Sequence, residues 1–179
     1  MKTFIASAFV MFCATALSAC GGMSLKKYET QQPEMSIREY FDGEIQAWGI
    51  IQDRSGNVIS RFDIDLVGTW DGNQGVLEED FRFYDGKTDQ RTWYITDLGN
   101  GTYEGRADDI IGVASSQTTG NAANWAYSMD VTTEDGSTYR LKFDDWMWLM
   151  NDGVLMNRSY MKKFGITFGE LTIFMKKKM

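Results

Sequence analysis

Histidine is absent from the 179 residues of this chain, and cysteine occurs only at Cys13 and Cys20. Without histidine, the chain cannot form a Ser-His-Asp or Cys-His catalytic set, an imidazole zinc site or a histidine-ligated haem. Because both cysteines lie near the N-terminus, thiolate metal sites and disulfides are excluded from the remainder. We therefore expect no cofactor. Any catalysis would rely on carboxylate, lysine, tyrosine or arginine side chains, and these absences argue against an enzyme.

Positive charge is also scarce. The sequence contains 18 Lys and Arg residues against 25 Asp and Glu residues, which gives a net charge of −7. The one basic run, Lys176 to Lys178, stands at the C-terminus. Because contacts with phosphates need clustered lysine and arginine, nucleic acid is excluded as a partner.

Long apolar runs are limited to one, from Phe4 to Leu17, which follows Lys2. This run is too short to span a bilayer and has the composition of a secretory signal peptide. It ends in Leu17-Ser18-Ala19-Cys20, which matches a lipobox, and Gly21 follows. The sequence therefore predicts export across a membrane.

This N-terminus resembles that of bacterial lipoproteins. The resemblance implies that residues 1–19 are removed as a signal peptide and that acyl chains on Cys20 hold the protein at a membrane without spanning it. In proteobacterial lipoproteins, an aspartate directly after the cysteine retains the protein at the inner membrane. Gly21 therefore implies the outer membrane, with the domain facing the periplasm.

The next segment is polar. Residues 20–38 contain the only proline, Pro33, and we interpret them as the lipidated N-terminus and a tether. Within it, Ser36 followed by Glu39 fits a capping box, so a short helical turn is expected from Ser36 to Phe41. Residues 39–179 are long enough for one domain with its own core.

Asp-Gly and Asn-Gly pairs punctuate this domain. They stand at residues 42–43, 71–72, 85–86, 100–101, 135–136 and 152–153. Such pairs favour the tight type I′ turns that join antiparallel strands. Between them, apolar and polar residues alternate: Phe62, Ile64 and Leu66 share one face, and Arg61, Asp63 and Asp65 share the other. This period of two predicts strands with one exposed side.

A long series of such strands predicts an all-β fold. We expect an antiparallel up-and-down meander of roughly eight to ten strands that closes into a lipocalin-like or calycin-like β-barrel. The short N-terminal helix or tether would precede it. A transmembrane barrel is excluded, because the charged face of Arg61, Asp63 and Asp65 would point into lipid.

Several dense stretches carry a family resemblance. They are Arg91-Thr92-Trp93, Tyr103-Glu104-Gly105, residues 120–125, residues 143–147 and residues 157–165. These stretches resemble a family of proteobacterial lipoproteins that is known only as a domain of unknown function. The resemblance extends from Tyr40 to Met175. It implies an envelope lipoprotein and brings no activity, ligand or site residue.

Strand parity places a few charged residues among the inward apolar ones. Glu79 lies between Leu77 and Phe81, and a tight turn near Gly86 would bring Arg91 opposite it or one diagonal step away. A buried carboxylate and guanidinium at that spacing should form an ion pair. The simplest interpretation is that the Glu79–Arg91 ion pair has a structural role. An acid catalyst or a clamp for a ligand's headgroup, with Arg91 holding a ligand carboxylate, are the alternatives.

Two further carboxylates are expected to point inward. Asp145 shares a face with Phe143 and Met147, and parity places Asp109 inward in the same way. A pair of inward carboxylates permits a glycosidase mechanism. The alternative is a hydrogen-bonding role with Asn157, other asparagines or a tryptophan indole.

The second half of the domain is rich in aromatic residues and methionine. This set comprises Trp125, Trp146, Trp148, Tyr139, Phe143, Phe168, Met129, Met147, Met150, Met156 and Met161. Such side chains provide a broad, deformable lining for an apolar ligand, although the same residues also suit a filled core. Trp125, Glu79, Arg91, Asp109, Asp145 and Asn157 are therefore the candidate ligand-binding residues.

The sequence is compatible with three functions. The first is a membrane-anchored barrel that binds or shuttles an apolar or amphipathic small molecule, such as a fatty acid or lipid. The second is a structural or interaction lipoprotein for envelope maintenance or stress, which works through its outer surface. The third is a carboxylate hydrolase that uses Glu79, Asp109 and Asp145.

Overall fold

The computed structural model describes residues 22–133 and 136–178, and within them ten antiparallel strands form a closed barrel. Each strand pairs with its neighbours in sequence, and the first strand closes the barrel by pairing with the last. The strands are β1 Gly43–Asp53, β2 Val58–Asp71, β3 Gln74–Phe83, β4 Thr88–Gly99, β5 Thr102–Arg106, β6 Ala114–Thr119, β7 Ala122–Thr132, β8 Thr138–Leu149, β9 Val154–Lys163 and β10 Ile166–Lys177. The all-β, up-and-down barrel predicted from the sequence is confirmed.

The alternation of side chains decides what is inside. Phe62, Ile64 and Leu66 on β2 are buried in the barrel. On the opposite face of the same strand, Asp65 pairs with Arg82 and Lys178. An apolar interior and a charged exterior follow directly from a period of two in the sequence.

Tight turns join the strands at the predicted pairs of residues 71–72, 85–86 and 100–101. Residues 42–43 instead lead into β1, residues 152–153 belong to a 3₁₀ turn, and Asp135 of the pair 135–136 lies outside the described residues. Asn100 and Gly101, between β4 and β5, both have positive φ angles, of 53° and 71°, as a type I′ turn requires. The turn between β9 and β10 was not predicted. Phe164 and Gly165 have φ angles of 52° and 78° there, and the Phe164 side chain is 91% exposed. Phenylalanine is rare in the left-handed region, so its sequence gives no turn signal.

A short helix, α1 (Ile37–Tyr40), closes one end of the barrel. Its N-cap is Ser36, whose Oγ accepts a hydrogen bond from the Glu39 backbone N–H at 3.2 Å, as the capping box predicted. Ile37 and Phe41 are buried against the barrel interior. Among the described residues, no helix has the length and apolar character needed to cross a membrane.

The segment before α1 packs on the outside of the barrel. A single 3₁₀ turn covers Leu25–Tyr28. The Tyr28 ring lies 6.1 Å from the ring of Trp146, and the Met35 N–H donates to the Gly120 carbonyl at 2.7 Å. A second 3₁₀ turn, Asn151–Gly153, joins β8 to β9. Tyr28 and Met35 therefore hold this segment against the outer face of β8 and the β6–β7 turn.

Candidate functional site

The barrel encloses a cavity of about 190 Å³. Its apolar wall comes from α1 and from inward residues of most strands. This wall includes Ile37, Phe41, Ile51, Phe62, Ile64, Leu66, Leu77, Phe81, Phe83, Trp93, Ile95, Trp125, Met147, Leu171, Ile173 and Met175. The polar lining consists of Glu79, Arg91, Tyr127, Asp145 and Asn157. The structure thus brings five of the six predicted ligand-binding residues to one cavity.

Glu79 and Arg91 stand directly opposite each other on β3 and β4, the register that the turn near Gly86 predicted. The expected ion pair between them does not form. Instead, Arg91 Nη2 lies 3.1 Å from Asp109 Oδ1, while the guanidinium stacks 4.4 Å from the Trp93 ring centre. The Trp93 side chain also interacts with Glu79, and this contact lowers the pKa of that carboxyl. The Arg91 guanidinium is therefore shared between Trp93 and Asp109 rather than paired with Glu79.

The position of Asp109 differs from the prediction. Strand β5 ends at Arg106, so Asp109 lies in the connection to β6 rather than on an inward strand face. Its side chain is 42% exposed. Strand parity fails at this residue because the chain has already left the sheet. Asp109 still reaches the site, since its carboxylate meets Arg91 at the edge of the cavity.

Asp145 is buried, with 7% of the residue exposed. Its Oδ2 accepts a hydrogen bond from the Tyr127 hydroxyl at 2.9 Å, and Ser159 is its cross-strand partner on β9. The Tyr127 ring is stacked on Phe143 with 5.0 Å between ring centres. Asp145 is thus a buried carboxylate held by a hydrogen bond, as the sequence suggested, but its donor is the Tyr127 hydroxyl rather than an asparagine or a tryptophan indole.

Burial changes the proton affinity of this polar set. Loss of hydration raises the pKa of Glu79 to about 7, an effect that the nearby Arg91 charge opposes. Burial also raises the pKa of Asp145 to about 6, against hydrogen bonds from Ser159 and Tyr127. The pKa of Tyr127 lies well above its ordinary value, first because of burial and then because of the Asp145 charge. Glu79 and Asp145 therefore change charge near neutral pH.

Arg91 has unused hydrogen-bonding capacity. Its Nε and Nη2 atoms are buried and make no hydrogen bond of good geometry with any described residue. A guanidinium offers five N–H donors and no acceptor, and a buried donor without a partner costs free energy. Apart from the Asp109 carboxylate at the edge of the cavity, the described chain gives these donors no acceptor.

Trp125 and Asn157 occupy the predicted interior positions. Both residues are buried and line the cavity. The Trp125 ring lies 6.2 Å from the Trp93 ring, and Asn157 Nδ2 donates to the Trp146 carbonyl at 3.1 Å. Trp125 supplies apolar surface to the cavity, whereas the amide nitrogen of Asn157 is used by the barrel itself.

Several aromatic and methionine residues assigned to the lining lie elsewhere. Trp146 and Trp148 are on the outer face of β8, where Tyr28 covers them. Tyr139, Met150 and Phe168 are exposed. The lining instead draws on Phe62, Phe81 and Phe83 from the first half of the domain. The alternation of side chains favours an inward position for these residues, but the sequence does not indicate their share of the lining, because aromatic residues are more frequent later in the chain.

The outer surface carries an apolar row. Trp48 pairs with Phe174, Phe174 pairs with Met156, and Met156 pairs with Trp148 across four neighbouring strands. Trp48 and Phe174 are both exposed.

Among the described residues, no group of three or more carboxylates, cysteines or histidines is placed to hold a metal ion.

The two buried carboxylates make stability depend on pH. Their pKa values are higher in the folded than in the unfolded chain, so the folded state binds protons more tightly. Their contribution is therefore complete below about pH 4 and is lost as the pH rises through about 7. Between about pH 5 and pH 8, the unfolding free energy of the wild type should fall by about 4 kcal/mol more than that of a Glu79→Gln, Asp145→Asn double variant. Urea unfolding at several pH values measures this. Parallel profiles for the two proteins would contradict it.

Comparison with known proteins adds a family and a fold. The model of a family described as a protein of unknown function, DUF3833, matches residues 14–177. The crystal structure of Rv2717c from M. tuberculosis aligns with a TM-score of 0.57 at 16% identity, and covers 83% of this chain and 99% of that chain. At this identity, the likeness shows a shared barrel fold alone. A search of the curated proteins finds no match.

Proposed function

Since the chain belongs to the DUF3833 family, whose function is unknown, we propose a function from its own site. The protein is an outer-membrane-anchored periplasmic lipoprotein, and its barrel binds or shuttles an apolar or amphipathic small molecule. The observation that carries this proposal is the cavity, in which the buried donors of Arg91 face a largely apolar wall. Pockets of this kind, apolar with a few convergent polar groups, are typical of ligand sites.

The size of the cavity limits the ligand. Pockets for drug-sized molecules measure about 300–1,000 Å³, and an engineered cavity of about 150 Å³ accepts benzene. A cavity of about 190 Å³ lies nearer the second case. The ligand is therefore a small molecule with on the order of ten non-hydrogen atoms, such as a medium-chain fatty acid, rather than a whole phospholipid.

Calorimetric titration tests whether the cavity binds such molecules. The protein is the mature chain from residue 21, which includes every described element of the barrel, exported on a non-lipoprotein signal and purified without detergent. Octanoic acid and 1-octanol are titrated separately at several temperatures. We expect saturable binding of at least one of them with a negative heat-capacity change, because binding buries apolar surface. If neither compound binds, the proposed function is wrong.

The membrane anchor has its own test. We expect the Cys20→Ser protein to carry no acyl chains and to lose its lipid anchor in the membrane fraction, because the Cys20 thiol is the acylation site that the lipobox defines. Cys13→Ser is the matched control, since Cys13 lies within the signal peptide. Fractionation and mass spectrometry of the N-terminal peptide measure the outcome. An unacylated N-terminal peptide in the wild type would overturn this part of the proposal.

The outer apolar row supports a second candidate function, an interaction lipoprotein for envelope maintenance. Contiguous exposed apolar residues mark interaction sites. The net charge of −7 disfavours an anionic lipid surface, so we infer a protein partner. A photo-crosslinker at position 174 should give one discrete adduct that Trp48→Ser weakens. A crosslinker at Tyr94, which is exposed on β4, serves as the control. Equal labelling at both positions would reject this candidate.

A further inference from the structure

We propose that the ligand is a small organic acid that binds together with one proton. Its carboxylate replaces Asp109 on the Arg91 guanidinium, and the proton neutralises Glu79. This inference rests on the proposed function of the cavity. It adds the chemical class of the ligand and a dependence of binding on pH.

The Arg91 guanidinium provides the binding group. Its Nε atom has no hydrogen-bond partner among the described residues, its Nη2 atom contacts only the Asp109 carboxylate and without good hydrogen-bond geometry, and Trp93 holds the guanidinium plane by stacking at 4.4 Å. Parallel N–H donors on a fixed plane match the two oxygens of a carboxylate, and such charge-assisted pairs are stronger than neutral hydrogen bonds. Among the described residues that line the cavity, Arg91 is the only one with a cationic side chain. An acid is therefore the ligand that satisfies it.

Asp109 occupies the position that a ligand carboxylate would take. Its Oδ1 contacts Arg91 Nη2, but the side chain is 42% exposed and belongs to the connection between β5 and β6. An ion pair with one exposed member contributes little free energy, because water solvates the carboxylate equally well. Asp109 can therefore leave Arg91 without disrupting a strand. The Arg91–Asp109 ion pair lies at the edge of the cavity, and a ligand carboxylate can replace Asp109 in it.

The acidic side chains near Arg91 explain why a proton must bind together with the ligand anion. Glu79 on β3 and Asp145 on β8 face the cavity, and Tyr127 on β7 donates to Asp145. The neighbouring residues of β9, Asn157 and Ser159, are uncharged. A ligand anion beside ionised Glu79 would place two negative charges in a poorly hydrated space, where one carboxylate takes up a proton instead.

The proton sets the direction of the pH effect. Burial already raises the pKa of Glu79 to about 7, so at lower pH the residue is neutral before the ligand arrives. Above that pH, Glu79 must gain a proton during binding. The affinity for the anion should then fall by up to about tenfold per pH unit.

Calorimetry with matched probes tests the inference. Octanoate, 1-octanol and octylamine share one chain length and differ in the charge of the head. On the mature chain from residue 21, we expect octanoate to bind about ten- to a hundredfold more tightly than 1-octanol near pH 6.5, because charged hydrogen bonds are the stronger ones. The octanoate affinity should fall above pH 7 and the 1-octanol affinity should not. Equal binding of octanoate and 1-octanol, or tightest binding of octylamine, would overturn the inference.

Single substitutions distinguish the roles of Arg91, Asp109 and Glu79 in ligand binding. Arg91→Met should abolish the preference for octanoate and retain 1-octanol binding, which also shows that the barrel is folded. Asp109→Asn should tighten octanoate binding, because the competing carboxylate becomes neutral. Glu79→Gln should remove the pH dependence above about 7. Arg82→Met, on the outer face of β3, is the matched control. A preference for octanoate that survives Arg91→Met would reject the assignment. Failure of both octanoate and 1-octanol to bind would reject the proposed function itself.

Discussion

Replacing Leu77 with tryptophan is expected to abolish ligand binding while the barrel stays folded. Leu77 is 5% exposed and lines the cavity from β3. An indole at this position would project into the space of about 190 Å³ and leave too little room for a ligand chain. Because the cavity accepts the added volume, the usual cost of overpacking, about 1–3 kcal/mol, should be reduced. We expect the affinity for octanoic acid to fall at least about a hundredfold, measured by calorimetry.

The neighbouring residue provides the control for this variant. Val76 precedes Leu77 on the same strand and points outward, where it pairs with Thr69 and Tyr94. Val76→Trp should bind octanoic acid as the wild type does. Urea unfolding of both variants shows whether each has kept its fold. Unchanged binding by a folded Leu77→Trp protein would mean that the ligand does not occupy the barrel interior.

Replacing Gly68 with alanine is expected to cause a large loss of stability for the addition of a single methyl group. A Cβ atom at Gly68 would lie 1.6 Å from the Phe41 carbonyl oxygen and 2.8 Å from its carbon. The backbone that carries α1 must then move away from β2, which opens the closed end of the barrel. We expect the unfolding free energy to fall by about 3 kcal/mol or more, since backbone atoms cannot change rotamer to relieve the contact.

Gly72→Ala is the matched control for Gly68→Ala. Gly72 has a φ of 57° in the turn between β2 and β3, and a Cβ atom there would have open space. Its replacement should cost about 1 kcal/mol, the penalty of the left-handed conformation alone. The two urea midpoints give the comparison. Equal losses in the two variants would show that the contact between α1 and β2 does not secure the barrel.

The fold was largely predictable because local signals repeat along the chain. The alternation at Phe62, Ile64 and Leu66 and the turns at Asp71-Gly72 and Asn100-Gly101 each predict one hairpin, and consecutive hairpins leave barrel closure as the way to pair the edges. These signals do not predict the turn at Phe164-Gly165. There, tertiary pairing of β9 with β10 imposes a backbone that phenylalanine does not favour by itself.

The candidate site was only partly predictable. Strand parity and turn length placed Glu79 and Arg91 inside the barrel, either opposite each other or one diagonal step apart, and the structure has them opposite. The direction of the Arg91 side chain depends on Trp93 and on the connection that carries Asp109, and neither follows from a periodic pattern. Parity also could not reveal that Trp146, on the outward face of β8, is buried by Tyr28 from a segment that the sequence suggested to be a tether.

Native mass spectrometry of the mature barrel, released from the periplasm without detergent, tests the central claim most directly. We expect a stoichiometric small-molecule adduct on the wild-type and Val76→Trp proteins, and its loss from Leu77→Trp. Fragmentation of the adduct should identify an organic acid. A wild-type protein without an adduct that also fails to bind octanoic acid would contradict a ligand-binding barrel. An adduct of equal abundance on Leu77→Trp would place the ligand outside the cavity.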